Sequence, residues 1–199
     1  MADIFLTIDK EGTGKFTEKK SRFLSFAFHV TSSDEARQRI KALHNEYHDA
    51  RHVCWAYVIG PEREEWQAND NGEPSGTAGK PILGQINSLN LTDVAVGVVR
   101  YFGGIKLGTP GLIAAYKEAA ALALEDSGVK ECIRCKTFSF TFPYIVINDV
   151  MKIVKSTGAE IIKQDFDNSC SMILSIRMDD ADILFARLSG ISGLTFSAS

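Results

Sequence analysis

From Arg22 to Val30, Leu24, Phe26, Phe28 and Val30 recur at every second position, the period of a strand with one covered face. The period then lengthens. After Thr31-Ser32-Ser33-Asp34, whose side chains suit a helix N-cap, Ala36, Ile40, Leu43 and Tyr47 recur at helical spacing and predict a helix over 34–48. Residues 52–59 form a second strand, stopped by Gly60-Pro61. From Pro61 to Pro81 no period survives; Gly72, Pro74, Gly76 and Gly79 mark a long polar loop, and long loops are often functional. A short helix is expected over 81–89. Residues 93–101 are almost continuously apolar, as suits a strand covered on both faces. The glycine-rich run from Phe102 to Gly108 follows. Thr109 is the expected cap of an alanine-rich helix over 110–126, with Pro110 in its first turn and Gly128 beyond its end.

Past Lys136 the pattern resets. Strands are expected at 137–143, 159–166, 169–177 and 194–198 and helices at 146–157 and 180–189, with a hairpin turn at Asp167-Asn168. The order is β-α-β-β-α-β, the ferredoxin-like arrangement. The fold class is therefore α+β in two domains, an α/β domain over 1–136 and a ferredoxin-like domain over 137–199.

Composition narrows the function classes. Of 199 residues, 45% are hydrophobic and 24% charged, which is globular rather than disordered. The net charge of −3 excludes a generally basic nucleic-acid coat, so a polyanion would need a local patch. Met1-Ala2-Asp3-Ile4 lacks the basic and apolar regions of a signal peptide, and no run approaches a membrane span; the expected location is the cytoplasm, with no membrane partner. Cys54, Cys132, Cys135 and Cys170 are expected as free thiols.

Three clusters could carry chemistry. The turn between Arg100 and Gly108 places Gly103, Gly104 and Gly108 ahead of a helix N-terminus, with Arg100 and Lys106 adding positive charge. Backbone amides there bind anions. A tight turn packed under strand ends gives the same pattern. Thr109 stands where a P-loop needs its lysine, so a nucleoside triphosphatase of that type is excluded. In the long loop, Asp70, Asn71, Glu73, Ser75, Thr77 and Lys80 offer carboxylates, hydroxyls and a cation. Acid–base work, magnesium binding and a solvated turn are all open readings. Lys15, Lys19, Lys20 and Arg22 cluster before the first strand and could track phosphates or blunt a sheet edge.

Other candidates fall short. His44 and His48 share a helix face, but the order of a zinc protease motif is missing; Cys132-Ile133-Arg134-Cys135 lacks two further ligands at matching spacing. No metal or cofactor is expected. No nucleophile–base–orienter triad can be assembled from spacing.

Four runs in order resemble the IMPACT/YigZ family. They are Lys20-Ser21-Arg22-Phe23, residues 49–57 around Arg51-His52, residues 71–83 around Asn71-Gly72-Glu73-Pro74-Ser75-Gly76-Thr77, and residues 98–108 around Arg100-Tyr101-Phe102-Gly103-Gly104. Asn71 stands where the family often has Asp, and Pro110 and Ala114 where it often has Gly and Arg. The resemblance implies a first domain like ribosomal-protein domain 2 and elongation factor G domain IV, and a second like domain V of that factor. It also implies a link to translational regulation and no established catalysis. The expectation is a factor that binds RNA or the ribosome through Lys20, Arg22, Arg51, His52, Lys80, Arg100, Lys106 and the glycine turn. An enzyme acting on a small phosphorylated or acidic ligand, through Asp70, Glu73 and His52, and a protein-interaction module are the alternatives.

Overall fold

The computed structural model describes residues 4–166 and 170–197. The chain separates into two compact units, Phe5–Cys132 and the residues from Ile133 onward, the latter with Ile4. The break falls just ahead of the expected boundary at Lys136. The Asp167-Asn168 turn lies outside the described residues.

The N-terminal unit runs β1 (Ile4–Ile8), β2 (Gly12–Glu18), β3 (Ser21–His29), α1 (Ser33–Glu46), β4 (His52–Ile59), β5 (Glu65–Asn69), α2 (Gly79–Ser88), β6 (Val94–Tyr101), α3 (Gly108–Ser127) and β7 (Val129–Ile133). Five strands form one antiparallel sheet in the order β2-β3-β6-β4-β5, and β1 pairs with β7 in a separate ribbon. β6 is central, which explains its unbroken apolar run. Val94, Val96 and Val98 join the core under α2 and α3, while Ala95 and Val99 pack on the α1 side. α1 starts where its cap residues require. Ser32 Oγ accepts the Glu35 amide at 3.2 Å, and the Glu35 carboxylate accepts the Thr31 amide at 2.8 Å. The alanines of α3 are spaced for close approach: Ala115, Ala119, Ala120 and Ala123 are buried against the sheet. Leu112 and Leu124 fill the spaces between, each contributing about 1.5–3 kcal/mol by burial.

Two expectations need correction here. The stretch 61–81 is not one long loop, because Glu65–Asn69 pairs in register with β4 as an edge strand. Its side chains are largely exposed, so backbone pairing rather than a hydrophobic period fixes it. Nor does Thr109 cap α3. The helix begins at Gly108 after Leu107, with no side chain capping its first turn.

The C-terminal unit runs β8 (Cys135–Phe142), α4 (Ile147–Thr157), β9 (Glu160–Phe166), β10 (Cys170–Arg177), α5 (Ala181–Ser189) and β11 (Thr195–Phe196). Its antiparallel sheet has the order β11-β8-β10-β9, the ferredoxin-like arrangement. Phe138, Phe140 and Phe142 of β8 share a face with Met172, Leu174 and Ile176 of β10 and are covered by Val150, Val154, Leu184 and Leu188. The opposite face alternates out Thr137, Ser139, Thr141, Ser171 and Ser175 around Ile173. No described helix is long and apolar enough to cross a membrane.

Candidate functional site

Side chains alternate along β6. Because Val94, Val96 and Val98 face α2 and α3, Arg100 is carried to that same face at the edge of the core, and Tyr101 to the other. A guanidinium so placed needs a counter-charge. Glu73 supplies it: Arg100 Nη1 lies 2.5 Å from Glu73 Oε1, with the two side chains 6% and 4% exposed. Glu73 Oε1 also accepts the Tyr116 hydroxyl at 2.9 Å. The Cys54 thiol in turn lies 3.3 Å from the Tyr116 oxygen and 3.0 Å from the Asp70 carbonyl oxygen. On its far side, Arg100 Nη2 is 3.5 Å from Ser21 Oγ, which accepts the Gly103 amide at 3.2 Å. The guanidinium carbon stands 5.5 and 5.7 Å from the ring centres of Phe23 and Phe102.

This chain ties the 70–78 loop to the glycine turn through the end of the sheet. Burial, reinforced by Cys54 and Glu73, raises the Tyr116 phenol far above its ordinary value. Burial likewise pushes the Cys54 thiol up to about 12. Both stay protonated, so Cys54 is a packed thiol and not a nucleophile.

Asp70 has a separate structural task. Its carboxylate accepts the amides of Gly76 at 2.8 Å, Ala78 at 3.0 Å and Gly79 at 2.8 Å, closing the loop onto the start of α2. Burial opposes its ionisation, but these three amides, helped by Lys80, outweigh that and hold the carboxyl below its ordinary value. Both carboxylates are thus engaged within the fold, Asp70 by three amides and Glu73 Oε1 by Arg100 and Tyr116. His52 lies beside the loop, its Nδ1 2.9 Å from the Asn71 carbonyl oxygen. That oxygen can only accept, so Nδ1 carries the proton and Nε2 is available to a ligand.

Around this frame lies a cavity of about 450 Å³. It is lined by Arg51, His52, Gly72, Glu73, Pro74, Arg100, Phe102, Lys106, Leu107, Gly108, Thr109 and Leu112. Gly108 has φ +72°, which a glycine adopts without penalty, and it opens the uncapped first turn of α3 at the cavity wall. Arg51 and Lys106 have no ion-pair partner among the described residues.

Of the residues singled out from the sequence, the fold gathers Arg51, His52, Glu73, Arg100, Lys106 and Gly108 at this cavity. Arg100 is not a free cation, because Glu73 neutralises it. Lys20 sits at the β2–β3 turn with φ +65°, and its backbone presses on Gly103: a Cβ there would meet the Lys20 carbonyl carbon at 2.0 Å. Gly103 is thus a packing glycine, while Gly104 has open space around it. Arg22 points to the opposite face from Phe23 and lies 5.0 Å from the centre of the Tyr101 ring. Alternation therefore splits the expected basic cluster. Lys80, Ser75 and Asn71 are outside the lining, and Thr77 is buried with its hydroxyl donating to the Pro74 carbonyl oxygen at 2.6 Å. Among the described residues no group of His, Cys, Asp and Glu converges on a metal position. Phe102, Tyr116 and Ser21 were not candidates from the sequence. An aromatic directly before two glycines was the available signal for Phe102; nothing local distinguished Tyr116 within an alanine-rich helix.

The N-terminal unit of this two-unit α/β protein thus carries a cleft lined by Arg51 and Lys106 beside the buried Glu73–Arg100 pair. Residues 19–124 match the Impact N-terminal domain family, and the chain belongs to the IMPACT family. It is 36% identical to an IMPACT family member of Haemophilus influenzae over 79% of this chain and 78% of that protein. It is 33% identical to the IMPACT family member YigZ of Escherichia coli over 74% of each. A crystal structure of a hypothetical protein superposes with TM-score 0.74 at 28% identity, covering 100% of this chain and 98% of that one.

Proposed function

We propose that this chain is a translation-related factor that binds RNA through the cleft of its N-terminal unit. The observation that carries the reading is the pairing pattern at the cavity. Arg51 and Lys106 are left unpaired beside an uncapped helix start, whereas both nearby carboxylates are internally consumed. On a chain with net charge −3, such a local excess of positive charge and amide donors is suited to phosphate. Family membership supports a regulatory role in translation. The C-terminal unit then serves to orient the cleft on its target.

Binding to RNA and to ribosomal subunits, followed over a salt series, tests this. Each phosphate contact on a single strand contributes a slope of about −0.7 in log K against log salt. Arg51→Gln and Lys106→Gln each remove about one such contact. Affinity that is indifferent both to salt and to the double substitution refutes the cleft as the binding site.

A further inference from the structure

The cleft is more than a charged groove, because one of its walls is an exposed aromatic ring. Phe102 follows β6 directly, lines the cavity and is 49% exposed. A single exposed phenylalanine is unremarkable on a protein surface. This one is held in place: the Arg100 guanidinium backs it at 5.7 Å, and that guanidinium is itself fixed by Glu73 and Ser21. Ordering the ring therefore does not have to be accomplished by a ligand.

A second observation comes from Arg100. Its side chain is 94% buried (6% exposed), and its Nε–H has no acceptor. Nη1 donates to Glu73 and Nη2 to Ser21, two of the five N–H donors of the guanidinium. A buried donor without an acceptor is costly. Arg100 lines the cavity, and so do Gly108 and Thr109 of the uncapped first turn of α3.

Resting on the RNA-binding reading above, we propose that the cleft takes one unpaired nucleotide. Its phosphate lies at the first turn of α3 beside Lys106, and its base lies flat against Phe102. The cavity of about 450 Å³ is within the range of small-ligand sites and suits one nucleotide unit. Stacking requires a free base face, which a paired strand does not offer to a side chain; single-stranded segments do. A bare phosphate would use the cations and amides but leave Phe102 without a role.

The test uses the full chain and fluorescence anisotropy with a labelled six-nucleotide single strand of RNA, the same sequence as a duplex, and inorganic phosphate as competitor. Phe102→Leu keeps the apolar cover over Arg100 and removes the stacking face. It is expected to weaken single-strand binding about tenfold while leaving the salt slope unchanged. Lys106→Gln is expected to lower the slope instead. The duplex is expected to bind at least tenfold more weakly than the single strand. Thermal melts confirm that both variants are folded. Equal binding of duplex and single strand, or an unaffected Phe102→Leu, overturns the nucleotide seat while leaving the electrostatic reading intact. Absence of salt-dependent binding to either RNA overturns both.

Discussion

Remove Glu73 and the molecule is left with a guanidinium in its core and nothing to neutralise it. The pair joins side chains that are 6% and 4% exposed, and Glu73 also accepts from Tyr116. Losing one partner of a buried pair costs about 3–5 kcal/mol, chiefly because the survivor stays charged and desolvated. Glu73→Leu is therefore expected to destabilise the N-terminal unit by that amount, lowering its melting temperature by about 10 °C. Arg100→Met should cost a similar amount. The double variant removes both charges and leaves one stranded donor, the Tyr116 hydroxyl, so its cost should be only about 1–2 kcal/mol. Urea denaturation of the four proteins closes the cycle, provided the slopes with denaturant agree. The predicted coupling is several kcal/mol. Should the double variant instead cost the sum of the two singles to within about 0.5 kcal/mol, the residues act independently and the buried pair is not the keystone described here.

Further expectations follow from the same contacts. Asp70→Asn should cost about 1–2 kcal/mol at neutral pH, since an ionised carboxylate serves three amides of the Gly76–Gly79 turn. Its folded-state pKa is depressed, so this contribution is full above the unfolded pKa and fades as pH falls through the folded one. Melts of the two proteins should converge in acid, and a constant gap would contradict the assignment. Native Cys135 is exposed and should react with a thiol reagent, whereas Cys54 and Cys170 are buried and should react only on unfolding; peptide mapping after labelling distinguishes them. Gly103→Ala should be far more damaging than Gly104→Ala. The first drives a Cβ into the Lys20 backbone, while the second meets no atom within 4 Å and bears only the left-handed backbone cost of about 1–2 kcal/mol at φ +85°.

The period of the apolar residues determined much of this protein by itself. Leu24, Phe26 and Phe28 fixed β3, Ala36, Ile40 and Leu43 fixed the inner face of α1, and the reset after Lys136 laid out β-α-β-β-α-β, because burial of a face must repeat with the geometry of the element. Strands held by backbone pairing instead, such as β5 with its exposed Glu65 and Trp66, left no period to read. The cleft divides in the same way. Residues within one segment, such as Lys106 and Gly108, were visible together. Only the tertiary structure could decide that Glu73 meets Arg100, that Tyr116 meets both Glu73 and Cys54, and that Arg22 lies on the other side of the sheet from Arg100. A charge along a sequence has no partner until the chain is folded. Which carboxylate a given guanidinium finds, and therefore which cations remain free for a ligand, depends on contacts between residues far apart in the chain.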